Sequence, residues 1–229
     1  MKRTWVILML LVAYFASVVN ANSFATIAKN VLIESFTATW CGPCKTYDPI
    51  VNEMYDADPS LILVHYHVQN DGLDFNWTNN RINWYGNQGI PMFVLDGVTK
   101  KIGGSPTFYM QFQKLISDRK NAIVSDPVEI SLTYEEGLVE YAFQLEKPLE
   151  NAQIVVLLVE DQVPDGRSVL RNVVRFAQTT PVRTLEDGKK EILQIPLNPS
   201  WKKDKLFAVV FVQKISSREV FGAAQSHRP

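Results

Sequence analysis

The 229-residue chain has two cysteines, Cys41 and Cys44, three positions apart, where an apolar run at 31–36 gives way to a helical pattern at 43–57. Two cysteines are too few for a scaffold held by several disulfides or for a four-cysteine zinc site. The composition, 46% hydrophobic and 21% charged, is that of an ordinary globular protein. A net charge of −1 gives no electrostatic basis for binding nucleic acid, which usually requires a basic domain.

The position of the cysteine pair suits thiol–disulfide exchange. The attacking group in that chemistry is a thiolate, and the backbone N–H groups and the dipole at a helix amino terminus stabilise negative charge. We therefore expect a depressed pKa for the thiol of Cys41. Cys44, one turn further along, is placed to resolve a mixed disulfide. Pro43 suits the first helical turn because its missing N–H needs no partner there, and Lys45 adds positive charge nearby.

Half of a zinc site has the same Cys-x-x-Cys spacing, and this alternative needs two more ligands. His65 and His67 are two apart on a predicted strand and therefore share one face, which makes a site of two histidines and two cysteines geometrically feasible. The Gly-Pro insert after Trp40 favours redox chemistry, with both histidines as ordinary strand residues. We expect neither a metal ion nor another cofactor.

Residues 1–21 have the order of a secretory signal peptide: a basic start at Lys2 and Arg3, an uncharged and mostly apolar run, and a small residue at Ala21. The alternative is an uncleaved anchor, but the strongly apolar core is shorter than the ~20 residues that a spanning helix needs. Cleavage after Ala21 predicts a protein of the periplasm, the cell envelope or the medium, without stable membrane insertion. Disulfides persist in such compartments.

Periodicity divides the rest of the chain near residue 125. Before it, strands alternate with helical patterns, which indicates an α/β domain over 22–125. After it, short strands without a convincing helix predict an all-β sandwich of the immunoglobulin or fibronectin kind over 126–229. Two of its segments, 154–159 and 206–212, are apolar at every position and are predicted to be covered on both faces. The other predicted elements are strands at 61–68, 92–96, 169–178, 190–197 and 218–225 and helices at 76–85 and 107–122.

Four features of residues 30–122 resemble the thioredoxin superfamily. They are the segment Trp40-Cys-Gly-Pro-Cys-Lys45, Pro49 within the following helix, Gly89-Ile90-Pro91 before a predicted strand, and Asp96-Gly97 after that strand. The resemblance implies an α/β thioredoxin-like fold for this half of the chain.

The same resemblance implies roles for individual residues. Cys41 would be the nucleophile, Cys44 the resolving thiol and Pro91 a cis-proline that faces the disulfide. A cis-proline there leaves Ile90 free to pair its backbone with an extended substrate chain. The remaining residues of the motif would support this chemistry: Trp40, Gly42, Pro43 and Lys45.

One departure from the family concerns a buried acid. Thioredoxins keep a buried acid six residues before the first cysteine, as a proton acceptor for the second. That position is Ser35 here, and Glu34 lies one step earlier. Neighbouring residues of a strand face opposite sides, so Glu34 takes the acid's role only if a bulge intervenes before Cys41. Otherwise Glu34 faces away and is a structural residue.

A second resemblance covers nearly the whole chain after residue 21. A signal peptide, the redox motif, the proline loop and a β-rich carboxyl half together resemble a bacterial family of outer-membrane-associated proteins with a thioredoxin-like amino half. This resemblance adds fold rather than function.

Two functions remain open. The first is an extracytoplasmic thiol–disulfide oxidoreductase, acting as a reductase on protein disulfides and supplied with electrons by a membrane partner. The second is a secreted binding or adhesion module whose cysteines form a static disulfide.

Overall fold

The computed structural model describes residues 29–166 and 168–227, so the predicted signal peptide at 1–21 lies outside the described residues. Within that described part, no helix has both the length and the apolar character that a membrane span requires.

The amino-terminal elements alternate between strands and helices, as predicted. Strands β1 and β2 are parallel, and β3 and β4 continue from β1 as antiparallel neighbours. The bounds are β1 (Val31–Thr37), α1 (Cys44–Ala57), β2 (Leu61–His67), α2 (Asn76–Trp84), β3 (Met92–Leu95), β4 (Thr99–Ile102) and α3 (Phe108–Lys120).

The carboxyl half is rich in strands, as predicted, and its described residues add a single helical turn of the 3-10 kind. The predicted strand at 169–178 is in fact two strands, because Asn172 adopts a positive φ of 49° and interrupts the extended backbone. The bounds are β5 (Glu129–Glu135), β6 (Leu138–Gln144), β7 (Leu149–Glu160), β8 (Val163–Asp165), β9 (Ser168–Leu170), β10 (Val173–Leu185), β11 (Lys190–Gln194), the 3-10 turn (Lys203–Lys205), β12 (Leu206–Lys214) and β13 (Val220–Gln225).

One eight-stranded sheet runs through both halves, in the order β13-β12-β7-β10-β2-β1-β3-β4. The two halves meet where β10 joins β2 in parallel, with Val173 opposite His65. At that junction the His65 backbone N–H donates to the carbonyl of Asn172 at 2.9 Å. The sheet therefore crosses the boundary predicted near residue 125. The immunoglobulin-like character of the carboxyl half stays a prediction.

Each face of the large sheet has its own cover. Helices α1 and α3 pack on one face of the amino-terminal strands, and α2 packs on the opposite face. A separate three-stranded layer, β11-β6-β5, covers the carboxyl strands on the side away from α2. Strands β7 and β12 are thus buried on both faces, which confirms the prediction for 154–159 and 206–212. The cysteine motif lies between the carboxyl end of β1 and the amino terminus of α1.

Candidate functional site

The cysteine pair lies at the connection between β1 and α1. After β1 ends at Thr37, a tight turn forms in which the Cys41 N–H donates to the carbonyl of Ala38 at 3.0 Å. Helix α1 begins at Cys44, and Pro43 precedes it at the cap position. The carbonyl of Pro43 accepts the N–H of Thr46 at 3.0 Å, so the first turn is complete without a donor from the proline.

Cys41 and Cys44 form a disulfide with an Sγ–Sγ distance of 2.04 Å. Both residues are buried, at 3% and 1% exposure. The backbone N–H of Cys44 points at Cys41 Sγ from 3.1 Å. Such a hydrogen bond favours the charged form of a sulfur, so on reduction it would stabilise a thiolate on Cys41 in particular. The first turn of α1 therefore distinguishes the two sulfurs, because it places a hydrogen-bond donor next to Cys41 Sγ.

The proline loop faces the pair. The Ile90–Pro91 peptide bond is cis, in agreement with the resemblance. The carbonyl oxygen of Ile90 lies 3.8 Å from Cys41 Sγ, and the Ile90 side chain packs against the two cysteines. The carbonyl of Pro91 accepts the N–H of Gly103 at 2.9 Å, which ties the loop to the end of β4. The structure thus brings Cys41, Ile90 and Pro91 together.

The other residues of the motif form the solvent-facing rim of the site. Trp40 is 54% exposed, a high value for a large aromatic side chain next to a buried disulfide. Gly42, Pro43 and Lys45 are exposed as well. The rim therefore combines an apolar ring with a positive charge.

Glu34 lies on the opposite face of β1 from the cysteine pair. The register between β1 and β2 is unbroken from Val31 to Thr37, so no bulge moves the Glu34 side chain to the face that carries the cysteines. Its carboxylate is fully buried against α2 and accepts hydrogen bonds from Arg81, from Tyr85 Oη at 2.5 Å and from Tyr66 Oη at 3.0 Å. Of the two alternatives that the sequence left open, the structural one holds, and Glu34 is removed from the candidate site.

A cavity of about 490 Å3 lies behind Cys44. Helix α1 and the ends of β1 and β2 line one side of it, and the hairpin of β8 and β9 lines the other. Arg171, directly after the hairpin, donates to Asp161 at 2.7 Å and to Asp56 of α1 at 3.1 Å. The strand-rich half of the chain therefore supplies one wall of the redox site. The sequence does not predict this, because β8 and β9 are only three residues long.

Asp48 is the carboxylate of α1 that faces this cavity. Thr37 Oγ1 donates to Asp48 Oδ2 at 2.5 Å, while Asp48 Oδ1 is buried without a hydrogen-bond partner among the described residues. Burial raises the pKa of Asp48 to about 6, against the opposing effects of the Thr37 hydrogen bond and of nearby His67. Nothing in the motif marks Asp48, although its place four residues after Cys44 on one helix is a signal that the sequence contains.

The two strand histidines have partners of their own. His65 Nε2 lies 2.9 Å from Asn52 Oδ1, and burial lowers the pKa of His65 to about 3, so its ring is neutral. His67 Nδ1 pairs with Asp71, whose carboxylate also accepts the backbone N–H of Thr39 at 3.1 Å. Over the described ranges, no group of three potential metal-binding side chains comes together.

Comparison with known proteins supports a thioredoxin-like fold for the amino-terminal part of the chain. Residues 13–107 match the family model for thioredoxin. A crystal structure of a protein from Agrobacterium tumefaciens aligns with 88% of this chain and 96% of its own, at 18% identity and a TM-score of 0.61, which is a likeness of fold across both halves.

Two further solved structures match less than half of the chain. Mitochondrial thioredoxin 3 from Saccharomyces cerevisiae, in its oxidized form, is 31% identical over 39% of this chain and 79% of its own, with a TM-score of 0.31. A domain of an outer membrane lipoprotein from Porphyromonas gingivalis is 16% identical over 47% of this chain and 90% of its own, with a TM-score of 0.33. On its matched family model, its fold and its disulfide, the amino-terminal half of this chain belongs to the thioredoxin superfamily.

Proposed function

We propose that this protein is an extracytoplasmic thiol–disulfide oxidoreductase that reduces protein disulfides through Cys41 and Cys44. One observation carries the proposal: the disulfide lies at the first turn of α1, with the Cys44 N–H 3.1 Å from Cys41 Sγ and the Ile90 carbonyl 3.8 Å from the same sulfur. A disulfide that only held the chain together would need neither the helix terminus nor the proline loop.

The first step is attack by the reduced protein on a substrate disulfide. The Cys41 thiolate forms a bond to one substrate sulfur, the substrate S–S bond breaks, and the other substrate sulfur leaves as a thiolate that takes up a proton from water. The product is a mixed disulfide between Cys41 and the substrate. The Cys44 N–H and the dipole of α1 stabilise the attacking thiolate.

In the second step Cys44 resolves the mixed disulfide. The Cys44 thiolate attacks Cys41 Sγ, the bond between Cys41 and the substrate breaks, and the second substrate sulfur leaves. Two electrons pass from the protein dithiol to the substrate, and the protein is left with the disulfide that the structure contains. An external dithiol reductant must then restore the protein. We infer that a membrane electron donor supplies it.

The substrate is inferred to be an extended segment of a protein chain. The backbone of Ile90, beside the cis bond to Pro91, lies next to Cys41 and offers main-chain groups for pairing with such a segment. Trp40 gives an exposed apolar surface on the same rim. The strand-rich half would serve as a docking or dimerising module, in keeping with the hairpin that it contributes to the cavity.

The direction and the compartment are parts of the same proposal. The Gly-Pro insert between the cysteines is that of thioredoxins, whose couple is reducing, at about −270 mV. The signal-like segment at 1–21 favours a location outside the cytoplasm.

Trapping tests the proposed chemistry. A reduced Cys44→Ser variant, mixed with insulin as a model disulfide protein, is expected to accumulate a mixed disulfide because the second step is blocked. Mass spectrometry should show one insulin chain attached through Cys41 and released by dithiothreitol. The matched control is the Cys41→Ser, Cys44→Ser double variant, which should form no adduct. If Cys44→Ser forms none either, the cysteines are a static disulfide and the protein is a binding module.

A further inference from the structure

We propose that Asp48 is the base that accepts the thiol proton of Cys44 when Cys44 resolves the mixed disulfide. This inference rests on the proposed function, because it concerns the second step of that reaction. The attacking form of Cys44 is a thiolate, yet the residue is 1% exposed, so its proton cannot pass directly to bulk water.

Position is the first argument for Asp48. It lies four residues after Cys44 in α1, and residues at this spacing are neighbours on one helix face, with Cβ atoms about 5–6 Å apart. Both residues line the same cavity of about 490 Å3, which is large enough for water to connect a thiol and a carboxylate that do not touch. The shared cavity therefore offers a route through water from the thiol of Cys44 to the carboxylate of Asp48.

The unequal state of its two oxygens is the second argument. Thr37 Oγ1 donates to Oδ2 at 2.5 Å and fixes the side chain between β1 and α1. Oδ1 is buried and has no hydrogen-bond partner among the described residues. A buried acceptor left unpaired is costly, and the cost is larger for a charged oxygen than for a protonated one. The site is thus built to take up a proton at Oδ1.

The other charged groups around Asp48 do not compete for this role. On α1, Lys45 is exposed and cationic. From β2, burial lowers the pKa of His65 to about 3, which makes its ring too weak a base, and His67 Nδ1 is already bound to Asp71. Across the cavity the hairpin contributes the carboxylate of Asp165, and Arg171 is bound to Asp56 and Asp161. Asp48 is the carboxylate that shares a helix face with Cys44.

The proton balance of the step is simple. Asp48 as a carboxylate takes the proton of the Cys44 thiol, the resulting thiolate attacks Cys41 Sγ, and the substrate thiolate leaves. The proton then moves from Asp48 to the departing substrate or to solvent, and no net charge is created. A pKa of about 6 leaves Asp48 ionised at neutral pH and able to accept this proton, which is the range in which general bases work best.

A two-phase reaction with Ellman's reagent isolates the step. Attack by Cys41 releases one coloured thiolate, and resolution by Cys44 releases the second, so the two rates are read separately in one stopped-flow trace. At pH 7 we expect Asp48→Asn to slow the second release roughly 10²-fold and to leave the first nearly unchanged. The matched control is Glu53→Gln, which removes an exposed carboxylate of the same helix and should behave as the wild type.

The pH profile separates a proton acceptor from a structural residue. In the wild type the second rate should rise with pH as Asp48 ionises, through about pH 6, and then level off. Asp48→Asn should lack this rise. Thr37→Val keeps the carboxylate but removes a hydrogen bond that lowers its pKa, so the rise should move to higher pH.

Two results would overturn the assignment. One is an Asp48→Asn variant whose second release has the wild-type rate and pH profile; the other, which decides the matter if that variant does not fold, is a Thr37→Val profile that does not move. A wild type that releases no second thiolate at all would instead refute the proposed function, whatever Asp48 does.

Discussion

Replacing Cys41 with serine is expected to reduce the rate of insulin reduction by roughly three orders of magnitude or more, down to the uncatalysed background. A serine hydroxyl does not ionise in the neutral range, so the Cys44 N–H and the helix dipole have no anion to stabilise on that atom. Turnover with dithiothreitol as electron donor, followed by insulin precipitation, measures the loss.

The companion variant Cys44→Ser makes this prediction specific. It should perform the first attack at nearly the wild-type rate and then stop, so that it fails in turnover but not in a single attack. Both variants lose the disulfide, which closes a very short loop and is worth about 2 kcal/mol on the chain-entropy estimate. Their thermal unfolding midpoints should therefore fall together. Equal turnover of Cys41→Ser and the wild type would contradict the assignment of the nucleophile.

Replacing Arg81 with methionine is expected to lower the free energy of unfolding by about 3–5 kcal/mol, because it leaves the Glu34 carboxylate buried without its cation. Arg81 donates to Glu34 through Nε at 2.9 Å and through Nη2 at 3.1 Å, and Nη2 also reaches Tyr85 Oη at 3.0 Å and Gln213 Oε1 at 2.8 Å. The guanidinium carbon lies 4.8 Å from the ring centre of Trp84. This network joins β1, α2 and β12, so its loss weakens the junction between the two halves.

Urea denaturation, with the free energy extrapolated to water, measures the loss. The control is Lys114→Met, which removes the cation of an ion pair whose Lys114 and Asp118 side chains are 74% and 53% exposed, and which should cost less than about 1 kcal/mol. The double variant Glu34→Gln, Arg81→Met should recover part of the stability, since no charge is then left unpaired. A loss for Arg81→Met no larger than that for Lys114→Met would show that the buried pair does not stabilise the fold.

The redox motif could be predicted from the sequence because its geometry is local. Cys41, Pro43 and Cys44 occupy consecutive positions of one turn, and the helix start follows from their residue types. The cis bond at Pro91 could be predicted only from the resemblance, since X-Pro bonds are mostly trans.

Two other features depend on contacts that no local pattern contains. Glu34 faces away from the cysteines because β1 has no bulge, and alternation along a strand cannot exclude one. Asp48 becomes prominent only when Thr37 from β1 and the β8–β9 hairpin close a cavity around it.

The continuity of the large sheet across both halves could not be predicted from the sequence. The change of periodicity indicated an α/β region followed by a strand-rich one, and the structure has both. The pairing of Val173 with His65 depends on tertiary packing. It could not be predicted because the strand expected at 169–178 is interrupted at Asn172, directly before Val173. Apolar runs at 154–159 and 206–212 did predict double coverage, since only a strand buried on both faces has no polar side.

Equilibrium titration of the Cys41–Cys44 couple tests the central claim most directly. The oxidised protein is incubated in graded dithiothreitol buffers, its thiols are alkylated, and the reduced fraction is read by mass. If the protein is a cycling oxidoreductase, we expect a reversible two-electron transition with a midpoint of about −270 mV, the thioredoxin value. A disulfide that stays oxidised in excess dithiothreitol would contradict the account and leave a protein whose two cysteines only hold a surface in shape.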